Sequence, residues 1–155
     1  MLKLMYITND PAVAKIAADA GVDRIFIDME VLGKAERQGG MDTVQSHHTP
    51  EDIAKVRAAI GDQAEIMARV NPLNPNSQTE IDDAIANGAD VIMLPMWRTA
   101  DDLRQLVSMV DGRAKVMPLL ETDTAADNLP EALAILWTGF APSSAKQVFP
   151  MALAA

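Results

Sequence analysis

The sequence contains no cysteine, which excludes a disulfide framework, thiolate catalysis and a cysteine-held metal. Aromatic residues make up 4% of it, with three phenylalanines against ten methionines, so the core is expected to be filled with flexible aliphatic side chains. Positive charge is scarce: 13 Lys and Arg stand against 22 Asp and Glu, a net charge of −9. That balance opposes nucleic acid or an anionic membrane as a general partner, but leaves room for a small anion held by one local arginine. Long apolar runs are also missing. The opening MLKLMYITND is too short in its apolar part for a signal peptide, and no stretch approaches membrane-spanning length, so a cytoplasmic protein is expected. No glycine-rich phosphate loop, Cys/His metal cluster or Gly-x-Ser-x-Gly nucleophile motif occurs.

What is present is ordinary globular composition, 49% hydrophobic and 23% charged over 155 residues, one domain's worth of chain. Short apolar runs alternate with amphipathic helical stretches. Leu2–Thr8 is a strand followed by Asn9-Asp10-Pro11, where Asn9 or Asp10 caps a helix and Pro11 suits its first turn. Val13, Ile16, Ala17 and Ala20 recur at helical spacing and Gly21 stops them. Arg24–Asp28 is the second strand and leads into Met29-Glu30. Val31–Thr49 has three glycines and no periodicity, and reads as a long loop of the kind that is functional or mobile. Thr49-Pro50-Glu51-Asp52 then starts a helix with Ile53, Val56 and Ile60 inward, and Gly61 ends it.

The stretch Ala64–Pro72, AEIMARVNP, is the third strand, and it runs from buried apolar residues into Arg69. An unpaired buried charge is prohibitively costly, so Arg69 must meet solvent, a carboxylate or an anionic ligand. A helix over Thr79–Asn87, a strand at Val91–Leu94, a helix capped by Thr99 and a strand at Lys115–Leu120 come next. One more helix opens at Asn128-Leu129-Pro130, and no clean strand–loop–helix unit comes after it. The pattern predicts an α/β fold of about five βα units with parallel strands and helices packed outside them, ending in an irregular C-terminal tail. Polar residues gather where strands end, at Asn9, Asp28, Glu30, Arg69, Asn71 and Glu121. In βα folds that edge is where ligands bind.

The chemistry open to these residues is limited in kind. Glu121 comes after an apolar run, and a carboxylate at a strand end either binds a hard divalent cation, pairs with Arg69 or is solvated. Asp28 and Glu30, two apart on a strand, point to one side and could serve a metal, a base or an ion pair with Arg69, the ion pair being preferred. His47 and His48 lie in the long loop; histidine as a residue type titrates near physiological pH and so suits a general base, although a loop histidine is usually just exposed. Lys15, Lys34 and Arg37 read as surface charge.

The succession FIDME (Phe26–Glu30), ARVNP (Ala68–Pro72), GADVIMLPM (Gly88–Met96) and PLLET (Pro118–Thr122) resembles the HpcH/HpaI aldolase/citrate lyase β-subunit family from about Leu4 to Leu133. The resemblance implies a phosphoenolpyruvate/pyruvate-binding TIM barrel, present here as a partial (β/α)8 barrel. Residues 1–136 would be its N-terminal portion and 137–155 an irregular or truncated tail. It also implies divalent-metal-dependent cleavage or formation of a C–C bond through a pyruvate-type enolate, with Mg²⁺ or Mn²⁺ as cofactor. The substrate would be a small keto acid or acyl-CoA, and the full-length parent a homo-oligomer. By position Arg69 matches the arginine that holds the carboxylate and enolate oxygen. Glu121 matches the first metal carboxylate, and Asp28 and Glu30 the acidic pair after strand two. The family's basic histidine falls at Val31 here, so His47 or His48 is the expected substitute. Nothing after Leu133 supplies the second metal carboxylate. The chain alone is therefore expected to be an incomplete or inactive enzyme, or a non-catalytic ligand-binding module that self-associates.

Overall fold

The computed structural model describes residues 3–33, 46–138 and 152–153. Residues 34–45 of the long loop, with Lys34 and Arg37, and most of the tail lie outside the described residues. Strands β1 (Met5–Ile7), β2 (Arg24–Asp28), β3 (Glu65–Arg69), β4 (Val91–Leu94) and β5 (Lys115–Leu120) are all parallel and lie side by side in chain order. Helices α1 (Pro11–Asp19), α2 (Pro50–Ile60), α3 (Ser77–Ala86) and α4 (Ala100–Val110) form the connections between them. After β5 come a short α5 (Asp123–Asp127) and then α6 (Leu129–Thr138). The tail adds a two-residue β6 (Ala152–Leu153), which pairs parallel with Leu119–Leu120 and extends the sheet by one short rung. Five consecutive βα units are therefore present, as the periodicity predicts.

Local chemistry explains the boundaries. Asp10, rather than Asn9, caps α1: its Oδ1 accepts the backbone N–H groups of Ala12 and Val13 at 2.8 and 3.3 Å. At the head of α4, Thr99 Oγ1 accepts from Asp102 N–H while Asp102 Oδ2 accepts from Thr99 N–H, satisfying two donors that a helix start leaves open. Gly88 takes φ +104° as the chain leaves α3 for β4, a conformation that costs other residues a steric penalty.

Side chains alternate between two layers. Ile25, Ile27, Ile66, Ala68, Ile92, Leu94 and Val116 pack with Ile53, Val56, Ile81, Leu103 and Leu106 of the helices. The opposite face of the sheet carries its own buried cluster of Phe26, Met67, Val91, Met93, Met117 and Leu119. A period of two then sets the next inner-face residue at the carboxyl end of each strand: Asp28 after Phe26, Arg69 after Met67, and Glu121 after Leu119.

The opposite, amino-terminal edge is ionic. Glu65 Oε2 accepts from Arg24 Nε at 2.8 Å, and Glu65 Oε1 pairs with Lys115 Nζ. Burial would raise the Glu65 pKa, but the hydrogen bonds and charges of Lys115 and Arg24 outweigh it and hold the carboxyl below its ordinary value. A carboxylate with a depressed folded pKa contributes stability that is full above its unfolded value and is lost as pH falls through the folded one. The acid limb of a urea-midpoint profile, from around the ordinary value of 4.5 downward, is therefore expected to be shallower in Glu65→Gln than in the wild type. Equal slopes would remove Glu65 from the account.

Candidate functional site

Register places Asp28 and Arg69 directly opposite each other across β2 and β3. The guanidinium meets the carboxylate in fork geometry, Nε to Oδ1 at 2.9 Å and Nη2 to Oδ2 at 2.8 Å. Glu30 Oε2 lies 3.3 Å from the same Nε. Asp28 and Glu30 are each 3% exposed, and the guanidinium also lies over the Phe26 ring, 5.4 Å from its centroid. Burial would lower the Arg69 pKa, but the Asp28 hydrogen bond and the charges of Asp28, Glu30 and Glu121 hold it above its ordinary value. Nη1 has no hydrogen-bond partner among the described residues. One edge of a fixed cation thus remains available to an anion.

Glu121 sits at the end of β5, exposed, with Oε1 accepting from the Met96 N–H at 2.8 Å. Met96 achieves this with φ +54°, a left-handed conformation uncommon for a residue with a side chain. Thr122 Oγ1 donates to the Trp97 carbonyl at 2.9 Å, and Asn128 Nδ2 donates to the Arg98 carbonyl at 3.2 Å. The β4–α4 connection is thereby strapped to the segment that carries Glu121.

His48 takes up a position that spacing does not foretell. Thr8 N–H donates to the Phe26 carbonyl, so in a continued parallel ladder the next bond would run from Asp28 N–H to Thr8. By then the chain has turned away into Asn9-Asp10-Pro11, and the Asp28 N–H donates instead to His48 Nδ1 at 3.0 Å. With Nδ1 accepting, a neutral ring carries its proton on Nε2. In this arrangement the Nδ1 lone pair is engaged by β2, and His48 becomes a base only by giving up that bond. His47 is exposed.

The pairing of Asp28, Glu30, Arg69 and His48 at one edge, with the Glu121 charge acting on Arg69, makes a compact polar site. Its acids outnumber its cation. A hard divalent cation suits that balance and the oxygen donor of Glu121. Among the described residues, however, no group of three His, Cys, Asp or Glu is placed to hold a metal ion. Asp28 and Glu30 are committed to Arg69. The described residues therefore fit such an ion in charge and donor type and do not amount among themselves to a self-sufficient metal centre.

The family model for HpcH/HpaI aldolase/citrate lyase matches residues 3–136. The chain belongs to this family. No curated protein matches it. Among solved structures, an HpcH/HpaI aldolase/citrate lyase family protein from Burkholderia cenocepacia superposes with a TM-score of 0.65 at 18% identity, over 85% of this chain and 59% of that one. An HpcH/HpaI aldolase from Desulfitobacterium hafniense gives 0.63 at 15% identity, over 86% and 58%. The citrate synthase SbnG gives 0.62 at 14% identity, over 84% and 55%. At these identities the likeness is one of fold, and the HpcH/HpaI chain described here spans less than two thirds of the length of each. No helix among the described residues is long and apolar enough to cross a membrane.

Proposed function

We propose that this edge is the keto-acid half of an aldolase or lyase site that makes or breaks a C–C bond through a pyruvate-type enolate. The single observation that carries the reading is the Arg69 guanidinium, locked by Asp28 and Glu30 and left with its Nη1 edge unsatisfied among the described residues. Arg69 binds the substrate carboxylate and the oxygen on which negative charge grows, and being already oriented it needs no rearrangement as that charge develops. Asp28 takes both oxygens to Arg69 in the fork, and Glu30, which meets the same guanidinium at the longer distance of 3.3 Å, is given the proton-handling role. His48 holds the end of β2 through Asp28 N–H, and in that tautomer Nε2–H is a hydrogen-bond donor. Mg²⁺ or Mn²⁺, with Glu121 as one ligand, would supply Lewis-acid charge next to the enolate. Residues 1–136 carry this half-site, and the described residues do not furnish the remaining metal carboxylate. The chain by itself is therefore assigned keto-acid binding rather than turnover.

Calorimetric titration of the purified chain with pyruvate, in the presence and absence of Mg²⁺, tests the reading. Saturable, metal-dependent binding is expected. It should weaken by about tenfold or more, roughly 1.4 kcal/mol, in Arg69→Lys and in Glu121→Gln. A folded chain that binds no pyruvate with Mg²⁺ present would sink it.

A different observation favours a second reading, a ligand-binding module that self-associates. β1 is the terminal strand of the sheet, and Leu4, Met5, Tyr6 and Ile7 are 51, 42, 47 and 53% exposed. An apolar edge strand with unpaired backbone groups is a template for another chain. Light scattering over a concentration series should show self-association that Tyr6→Lys with Ile7→Lys suppresses. Association that is unchanged by the two lysines would place the contact elsewhere.

A further inference from the structure

We infer that Asn71 and Glu80 are positioning residues that set where Glu30 stands relative to Arg69; the functional meaning of this rests on the keto-acid reading above. Asn71 lies two residues beyond Arg69 and is nearly buried. Its Oδ1 accepts two successive backbone N–H groups, from Val31 at 2.8 Å and Leu32 at 2.9 Å. Those amides belong to the residues directly after Glu30. Two side chains at the end of β3 therefore grip the exit of β2, Arg69 through its ion pair with Asp28 and Asn71 through the Val31 and Leu32 amides.

Asn71 is itself held. Glu80 Oε2 accepts from Asn71 Nδ2 at 3.1 Å and from Asn71 N–H at 3.2 Å. Glu80 Oε1 accepts from Asn74 Nδ2 at 3.1 Å. A side-chain amide can face either way round, and a carboxylate has no proton to donate. Contact with Glu80 on one side thus forces Nδ2 toward α3 and Oδ1 toward Val31 and Leu32. The helix supplies the fixed charge, the amide transmits its orientation, and Val31 and Leu32 are pinned. Between the pinned amides and the Asp28 rung lie Met29, whose N–H donates to the Arg69 carbonyl at 3.0 Å, and Glu30, whose N–H donates to Asp28 Oδ1 at 3.3 Å. With both ends tied, Glu30 has little freedom to leave the guanidinium. Val31 and Leu32 are themselves about half exposed, so burial of their side chains does not do this work.

The test needs no ligand. Amide hydrogen exchange at Val31 and Leu32 in the full chain should accelerate by about tenfold or more in Asn71→Ala, which removes the acceptor. Glu80→Gln should accelerate the same two amides by a smaller factor, because one of its two acceptor oxygens becomes a donor and the Asn71 amide loses its fixed orientation. The Arg69 Nε–H resonance, which reports the Asp28 and Glu30 contacts, should move in both variants. Ile60→Val, a conservative core change in α2, serves as the control: it lowers stability without touching the latch and should leave that resonance in place. Val31 and Leu32 exchange unchanged in folded Asn71→Ala would overturn the inference, as would an Arg69 Nε–H that moves no more than in Ile60→Val. Pyruvate binding that fails while the latch behaves as described would count against the keto-acid reading alone.

Discussion

Arg69→Ala is expected to destabilise the chain by about 3–5 kcal/mol at neutral pH, the loss incurred when one partner of a buried ion pair is removed and the other charge stays behind. Two carboxylates, Asp28 and Glu30, each 3% exposed, would be left without the guanidinium that both of them face. Urea unfolding at pH 7 measures the loss. Replacing the acids as well, with Asp28→Asn and Glu30→Gln added to Arg69→Met, should recover much of the loss, since the penalty lies in buried negative charge that the guanidinium no longer offsets. A simple Arg69→Ala loss below about 1 kcal/mol would mean that the acids reach water without it.

The second large effect belongs to the other layer of the sheet. Ile92 lies at the centre of β4, fully buried, in register with Ala68 of β3 on one side and Val116 of β5 on the other. Small neighbours on both flanks cannot swing in to fill a void. Ile92→Ala is therefore expected to cost about 2–5 kcal/mol and Ile92→Val about 0.5–1.5 kcal/mol. The ratio of the two, measured by equilibrium unfolding, reports how far the layer relaxes. An Ile92→Ala loss no larger than that of Ile92→Val would show that it collapses.

The contrast between these two residues shows what was legible in the amino-acid order. The runs at Arg24–Asp28, Val91–Leu94 and Lys115–Leu120 occur as strands with those bounds, because strands buried on both faces are continuous apolar runs with polar limits. The helix starts at Thr49 and Thr99 were equally readable, since capping is chemistry between near neighbours. β1 is shorter than Leu2–Thr8: it is an edge strand paired on one side, and Lys3 and the Leu4 N–H are drawn to the Asp23 carboxylate instead. α5 at Asp123–Asp127 went unread because a five-residue helix offers no periodicity to detect. Within the candidate site, the inner-face alternation that lines up Asp28, Glu30, Arg69 and Glu121 could be anticipated. The His48 ring standing in for a strand carbonyl could not, nor could the Asn71–Glu80 contact or the left-handed Met96 that carries the Glu121 hydrogen bond. Each depends on where a loop returns in space, which no local rule of spacing encodes.

The single rung between Asp28 and Arg69 also has a consequence for how the chain finds its fold. Strands buried on both faces carry little information about register, since every apolar residue is nearly as acceptable one step along. A slip of one residue between β2 and β3 would break the fork, turn Arg69 toward the helix layer and displace Ile66, Ala68 and Val70 to the opposite face. The residues assigned to hold a substrate would thus make a misaligned sheet costly while the protein is still assembling. That error check would operate in every molecule that folds, whether or not it ever meets a ligand.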